Sequence, residues 1–170
     1  MESRPPLQAH TSLDKTRLRY AVAMSRPPPS ASLLLVLDTN VVLDWLVFRD
    51  GSCSALAQAL TEGLARWVAT AAMRDELARV LDRGSLDAWN PDVPTLWAEW
   101  DRWVSVVPAP PPLPPGVPRC TDPDDQKFID LGIHLGANAL LSRDRAVLRC
   151  ARRARAQGLM ILTPSAWSLC

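Results

Sequence analysis

An α/β fold with a central, mainly parallel sheet is what this sequence predicts, and three observations predict it. Leu33–Leu37 is an apolar run with no polar face, as a strand covered on both sides requires. From that run to Leu162, strand-like and helix-like patterns alternate, the mark of βαβ units. The 170 residues amount to about one domain, large enough to hide roughly two-thirds of the unfolded surface in a core.

The elements follow in order. Residues 1 to about 30 are polar, basic and punctuated by proline, ending in Arg26-Pro27-Pro28-Pro29. Lacking a periodic apolar stripe, they are expected to form a disordered or loosely attached arm ahead of one domain over 31–170. Met24, just before the first strand, is a candidate start, which would leave residues 1–23 outside the native chain. After the strand Leu33–Leu37, a helix is expected from Thr39 through Val42, Trp45 and Leu46. Ser54 to Glu62 reads as a second helix closed by Gly63, and Ala65 to Thr70 as a second strand. Over Ala71–Arg83, Met73, Leu77, Val80 and Leu81 recur at i, i+4, i+7 and i+8, a helical stripe that Gly84 stops. A loop over 84–92 precedes a helix marked by Leu96, Trp100 and Trp103, then a strand at Val104–Val107. Seven prolines between Pro108 and Pro118 make a stiff surface crossover within the domain. A helix over Asp124–Leu135, a strand at Ala139–Leu141, a helix over Arg145–Gln157 and a strand at Leu159–Leu162 complete the alternation.

Composition excludes several classes. Nineteen Lys and Arg against 18 Asp and Glu leave +1, so no global field selects a polyanion. The four cysteines, Cys53, Cys120, Cys150 and Cys170, form no Cys-x-x-Cys pair, which argues against a zinc site or a disulfide framework. No apolar run approaches a membrane span or a signal sequence. A cytoplasmic protein without a membrane partner is expected.

Two carboxylates fall where open parallel sheets place their sites, beyond the carboxyl ends of strands. Asp38 closes the first strand in Leu37-Asp38-Thr39-Asn40, and Asp144 follows a later one in Leu141-Ser142-Arg143-Asp144. Each alone is explained by a helix N-cap. In Thr121-Asp122-Pro123-Asp124-Asp125, Asp122 fits the N-cap, Pro123 the first helical position and Asp125 the third. Glu76 lies at the margin of its helix's apolar stripe. Four acids on four elements, without matched cations, repel one another unless an ion joins them. Hard cations such as Mg²⁺ or Mn²⁺ suit such oxygen donors.

The motifs Leu35-Val36-Leu37-Asp38-Thr39-Asn40-Val41-Val42, Glu76-Leu77-x-x-Val80-Leu81, Asp122-Pro123-Asp124-Asp125-Gln126-Lys127-Phe128 and Leu141-Ser142-Arg143-Asp144 occur in this order. Together they resemble the PIN-domain (PilT N-terminus-like) family. More narrowly they resemble the branch of bacterial type II toxin–antitoxin components, whose ending Ile161-Leu162-Thr163-Pro164 matches. The resemblance covers residues 32 to 168. It implies a three-layer α/β/α sandwich, a Mg²⁺- or Mn²⁺-dependent ribonuclease and a cognate antitoxin. It places Asp38, Glu76, Asp125 and Asp144 in the catalytic and metal-binding pocket, with Asn40, Ser142 and Asp122 in support. The Trp-rich stretch Trp89–Trp103, the proline connector and the arm lie outside the family pattern.

Arg145, Arg149, Arg152 and Arg153 follow Asp144 at i, i+4, i+7 and i+8 on the expected helix. They read as a solvated face or as phosphate contacts for RNA. Trp97, Trp100 and Trp103 have the spacing of core residues. His134 and His10 have no Ser or Cys placed for a nucleophilic triad. An aspartyl phosphotransfer site at Asp38 would want a second Asp two residues on, where Asn40 stands. The expectation is a metal-dependent endoribonuclease, with RNA as substrate and an antitoxin or a second copy of the chain as candidate partners. A catalytically silent RNA- or protein-binding module on the same fold competes with it.

Overall fold

Leu33–Leu37 does form a strand, β1, and it occupies the centre of the sheet. The computed structural model describes residues 32–168; the arm expected over 1–30 lies outside the described residues. From β1 the chain passes through α1 (Thr39–Leu46), a 3₁₀ turn at Gly51–Cys53 and α2 (Ser54–Thr61) into β2 (Ala65–Ala69). Next come α3 (Ala71–Asp82), a 3₁₀ turn at Asp87–Trp89, α4 (Val93–Trp103) and β3 (Val104–Val106). Beyond the proline connector lie α5 (Gln126–His134), β4 (Ala139–Leu141), α6 (Arg145–Arg149), α7 (Ala151–Arg155), β5 (Met160–Leu162) and a 3₁₀ turn at Pro164–Ala166.

The five strands are all parallel and run in the order β3-β2-β1-β4-β5. The chain moves outward from β1 to β3, then crosses back to the other side of β1. The order therefore reverses between β1 and β4. Right-handed crossovers place α1–α4 on one face and α5–α7 on the other, which makes the three-layer α/β/α sandwich. Both faces of the central strands are covered, so Leu35, Val36, Leu140 and Leu141 are fully buried. On the first face, Trp67 of β2 meets Trp100 and Trp45 edge-on, at ring centroids 4.9 and 6.2 Å apart. On the second, Gly132 lets α5 pack closely; a Cβ there would lie 2.8 Å from Leu159 Cδ2.

Two helix expectations need correction. The helix expected over Arg145–Gln157 is broken at Cys150, where i→i+3 bonds from Cys150 N to Val147 O and Arg153 N to Cys150 O replace the α pattern. The buried Cys150 thiol bonds both Ala146 O and Arg119 O at 3.5 Å, tying this point to the connector. The helix expected from Asp124 begins at Gln126. The Gln126 amide is the reason: its Oε1 accepts from Cys120 N at 2.7 Å and its Nε2 donates to Pro118 O at 3.1 Å. Those bonds draw the preceding residues into a loop. Asp122 therefore closes only a local turn, accepting from Asp124 N at 2.9 Å. Asp125 precedes the helix instead of occupying its first turn.

Candidate active site

Leu37 pairs with Leu141, so the carboxyl ends of β1 and β4 open side by side at the point where strand order reverses. That is where open parallel sheets bind ligands. Asp38 extends the pairing by one residue, its N–H donating to Leu141 O at 3.0 Å. Its backbone carbonyl starts α1, accepting from Val41 and Val42, yet its carboxylate makes no capping bond. The cap explanation fails for this side chain. Asp38 is 3% exposed, and its two side-chain donors share one oxygen. Ser142 Oγ reaches Oδ2 at 2.5 Å and Asn40 Nδ2 reaches it at 2.9 Å. No side-chain donor reaches Oδ1 among the described residues. Burial pushes this carboxyl above its ordinary range, Ser142 and Asn40 pull it back, and the Glu76 charge pushes it up again.

Ser142 is fully buried and links two acids, because its Oγ also accepts the Asp144 N–H at 2.9 Å. Asn40 Oδ1 accepts the Arg143 N–H at 3.1 Å, tying the end of β1 to the end of β4 a second time. Asp144 does act as a cap. Its Oδ1 accepts from Ala146 N at 2.5 Å and Val147 N at 3.2 Å, while Oδ2 stays free.

Asp125 stands at the mouth of α5 and makes no capping bond. Its carboxyl is pushed up to about 6, first by burial and then by the charges of Asp38, Asp122, Asp144 and Glu76. The charges of acids from four elements therefore act on this one carboxyl. Glu76 differs: both its oxygens are engaged. Oε1 accepts from Thr39 Oγ1 at 2.7 Å, and Oε2 forms an ion pair with Lys127. Lys127 also donates to Asp124 O and lies 4.8 Å from the Phe128 ring centroid. Thr39 and Lys127 are additions that sequence reasoning missed. The signal for Lys127 was its position in the Asp122–Phe128 motif as one of two lysines in the chain.

The donor set suits a hard divalent cation. Asp38 Oδ1, Asp144 Oδ2 and both oxygens of Asp125 are free of side-chain donors, and all are carboxylate oxygens. Among the described residues, no three His, Cys, Asp or Glu side chains converge tightly enough to hold an ion as they stand. Mg²⁺ sites commonly use one or two carboxylates and keep several waters, so the set fits such an ion.

The arginines after Asp144 are all exposed, but the break at Cys150 interrupts their stripe. Arg149 reaches Thr121 Oγ1 at 3.4 Å and Arg153 reaches Arg119 O at 3.3 Å. Among the tryptophans, Trp100 is buried and Trp97 and Trp103 are half-buried against it and Trp45. Trp89, at 62% exposure, packs its edge on Phe48. No helix among the described residues is long and apolar enough to cross a membrane.

Comparison with known proteins agrees with this geometry. Among curated proteins none matches the chain. Residues 34–146, more than half of the chain, match the PIN domain, which is generally a metal-dependent nuclease fold. The match begins in β1 and ends just past Asp144, and so spans all four acids. The chain belongs to the PIN domain family.

Proposed function

We propose that this chain is a Mg²⁺- or Mn²⁺-dependent endoribonuclease that hydrolyses RNA phosphodiester bonds as the toxin of a toxin–antitoxin pair. One observation carries the reading. At the switch point, Asp38, Asp125 and Asp144 each keep at least one carboxylate oxygen free of side-chain donors, while hydroxyl and backbone bonds hold Asp38 and Asp144 in position. These three residues would hold the cation. A divalent ion bound there supplies Lewis acidity, both to activate water and to neutralise charge developing on the phosphate.

The remaining work belongs to the chain. Ser142 orients Asp38 and favours its ionised form. Asn40 keeps the ends of β1 and β4 in register. The cap at α6 fixes the direction of the free Asp144 oxygen. Glu76, fixed by Thr39, holds the Lys127 ammonium beside the pocket. Arg145, Arg149, Arg152 and Arg153 supply cations for phosphates on the β4 side. Asp38→Asn and Asp144→Asn are each expected to abolish metal-dependent RNA cleavage while circular dichroism stays native; unchanged cleavage in both refutes the assignment. The toxin role draws on the sequence resemblance. Its test is an adjacent open reading frame whose product binds this chain and stops cleavage.

A second reading, a silent module that binds RNA or a protein partner, is favoured by the Lys127–Glu76 pair, which leaves Glu76 no free oxygen. Titration with millimolar Mn²⁺ separates the two. A rise in melting temperature supports the nuclease; no binding and no rise supports the silent module.

A further inference from the structure

One face of α3 carries Glu76, Arg79 and Val80, and Arg83, the C-cap residue just past its end, continues that stripe at i, i+3, i+4 and i+7. Together with Asp124 and Lys127 they line an open cleft of about 220 Å³ beside the acidic pocket. The Lys127 and Glu76 charges already answer each other at its head. Arg79 and Arg83 are exposed and form no hydrogen bond, ion pair or ring contact among the described residues. Arg66, Arg145, Arg152 and Arg155 are free in the same sense, whereas several other arginines are engaged. Arg143 is held by Asp44, Asp50 and Ser52, Arg149 by Thr121 and Arg153 by a carbonyl. Arg74 and Arg102 lie over Trp97 and Trp103. Two like charges at i, i+4 disfavour the helix that carries them, and an anion between them reverses that effect.

We infer that this cleft is a phosphate-binding subsite for an RNA strand, with Arg79 and Arg83 holding the backbone next to the phosphodiester at the acidic pocket. The inference rests on the ribonuclease reading and adds a second flank to it. Guanidinium groups bind phosphate oxygens in a bidentate manner, and lining cations outnumber carboxylates three to two. Glu76 and Arg83 are separated by a rise of about 10 Å along α3, so the cations begin where the acids end. By strand order, α3 follows β2 on one side of β1, and the arginines after Asp144 follow β4 on the other. A strand crossing the acids thus meets positive charge on both sides, which a polyanion needs in order to approach carboxylates at all.

The test is fluorescence anisotropy of a labelled single-stranded oligoribonucleotide on the full chain, in EDTA and again in Ca²⁺, between about 50 and 200 mM salt. Arg79→Gln with Arg83→Gln is expected to lower affinity roughly tenfold at the lower salt and to flatten the slope of log K against log salt by about 1.4, from two contacts at ~0.7 each. Arg79→Lys with Arg83→Lys retains most of that slope, and both variants melt with the parent. Parental affinity and slope in the Gln variant, or lost affinity at unchanged slope, overturns the inference. Cleavage by the parent is scored separately. A parent that binds RNA without cutting it removes the ribonuclease reading and leaves the binding comparison to decide the cleft. A parent that neither binds nor cuts overturns both.

Discussion

Removing the Asp125 charge should stabilise the metal-free protein at neutral pH and do nothing in acid. The carboxyl is raised from 3.8 to about 6 in the fold. The native state therefore keeps a proton between about pH 4 and pH 6 that the unfolded chain has lost. Stability of the metal-free parent falls as pH rises through that window and stays low above it. A gap of about two pKa units corresponds to ~3 kcal/mol. Water screens this half-buried group, which brings the expected effect to about 1 kcal/mol. Asp125→Asn is therefore expected to melt about 2–4 °C above the parent at pH 7.5 in EDTA, and level with it at pH 4. Added Mg²⁺ should raise the parent's melting temperature and close the gap, because an ion that binds only the native state stabilises it. A variant no more stable than the parent at pH 7.5, or one that gains equally at pH 4, refutes the electrostatic account of this pocket.

Other consequences are open to measurement. Ser142→Ala removes a hydroxyl bond to a charged partner, costing about 1.5–3 kcal/mol, and it removes one cause that holds the Asp38 carboxyl down. The acid limb of the pH–rate profile should move to higher pH, and a limb that stays in place refutes that role. Asp144→Ala loses the cap of α6, costing about 1 kcal/mol, whereas Asp144→Ser restores the cap without the charge. Both should lose metal-dependent cleavage while only the first loses stability. An Asp144→Ser protein that cuts like the parent removes Asp144 from the metal set.

The parts of the site legible in the sequence are those the backbone itself positions. Asp38 and Asp144 each follow a strand, so the sheet that buries Leu37 and Leu141 also brings these acids to one edge. The strands were legible because both faces of β1 and β4 are apolar. Side-chain contacts across elements left no periodic trace. The Glu76–Lys127 pair joins α3 to α5 across 51 positions, and no spacing rule connects them. Nor does local pattern reveal the break at Cys150, whose thiol answers to Arg119 in the connector. The late start of α5 has the same origin, since Gln126 holds a carbonyl eight residues earlier.

Strand order also dictates when the chemistry is assembled during synthesis. β1, β2 and β3 are neighbours both along the chain and in the sheet, so they can pair as they leave the ribosome, N-terminal parts first. One flank of β1 then stays open, its N–H and C=O groups unpaired, until β4 emerges. Ser142 reaches Asp38 across 104 positions, and so long a loop closes late. A nascent chain stopped before Ala139 carries Asp38, Glu76 and Asp125 but has neither the hydroxyl that orients Asp38 nor the Asp144 carboxylate. On the ribonuclease function proposed above, that delay keeps the acidic pocket unformed while the chain's own message is still being read.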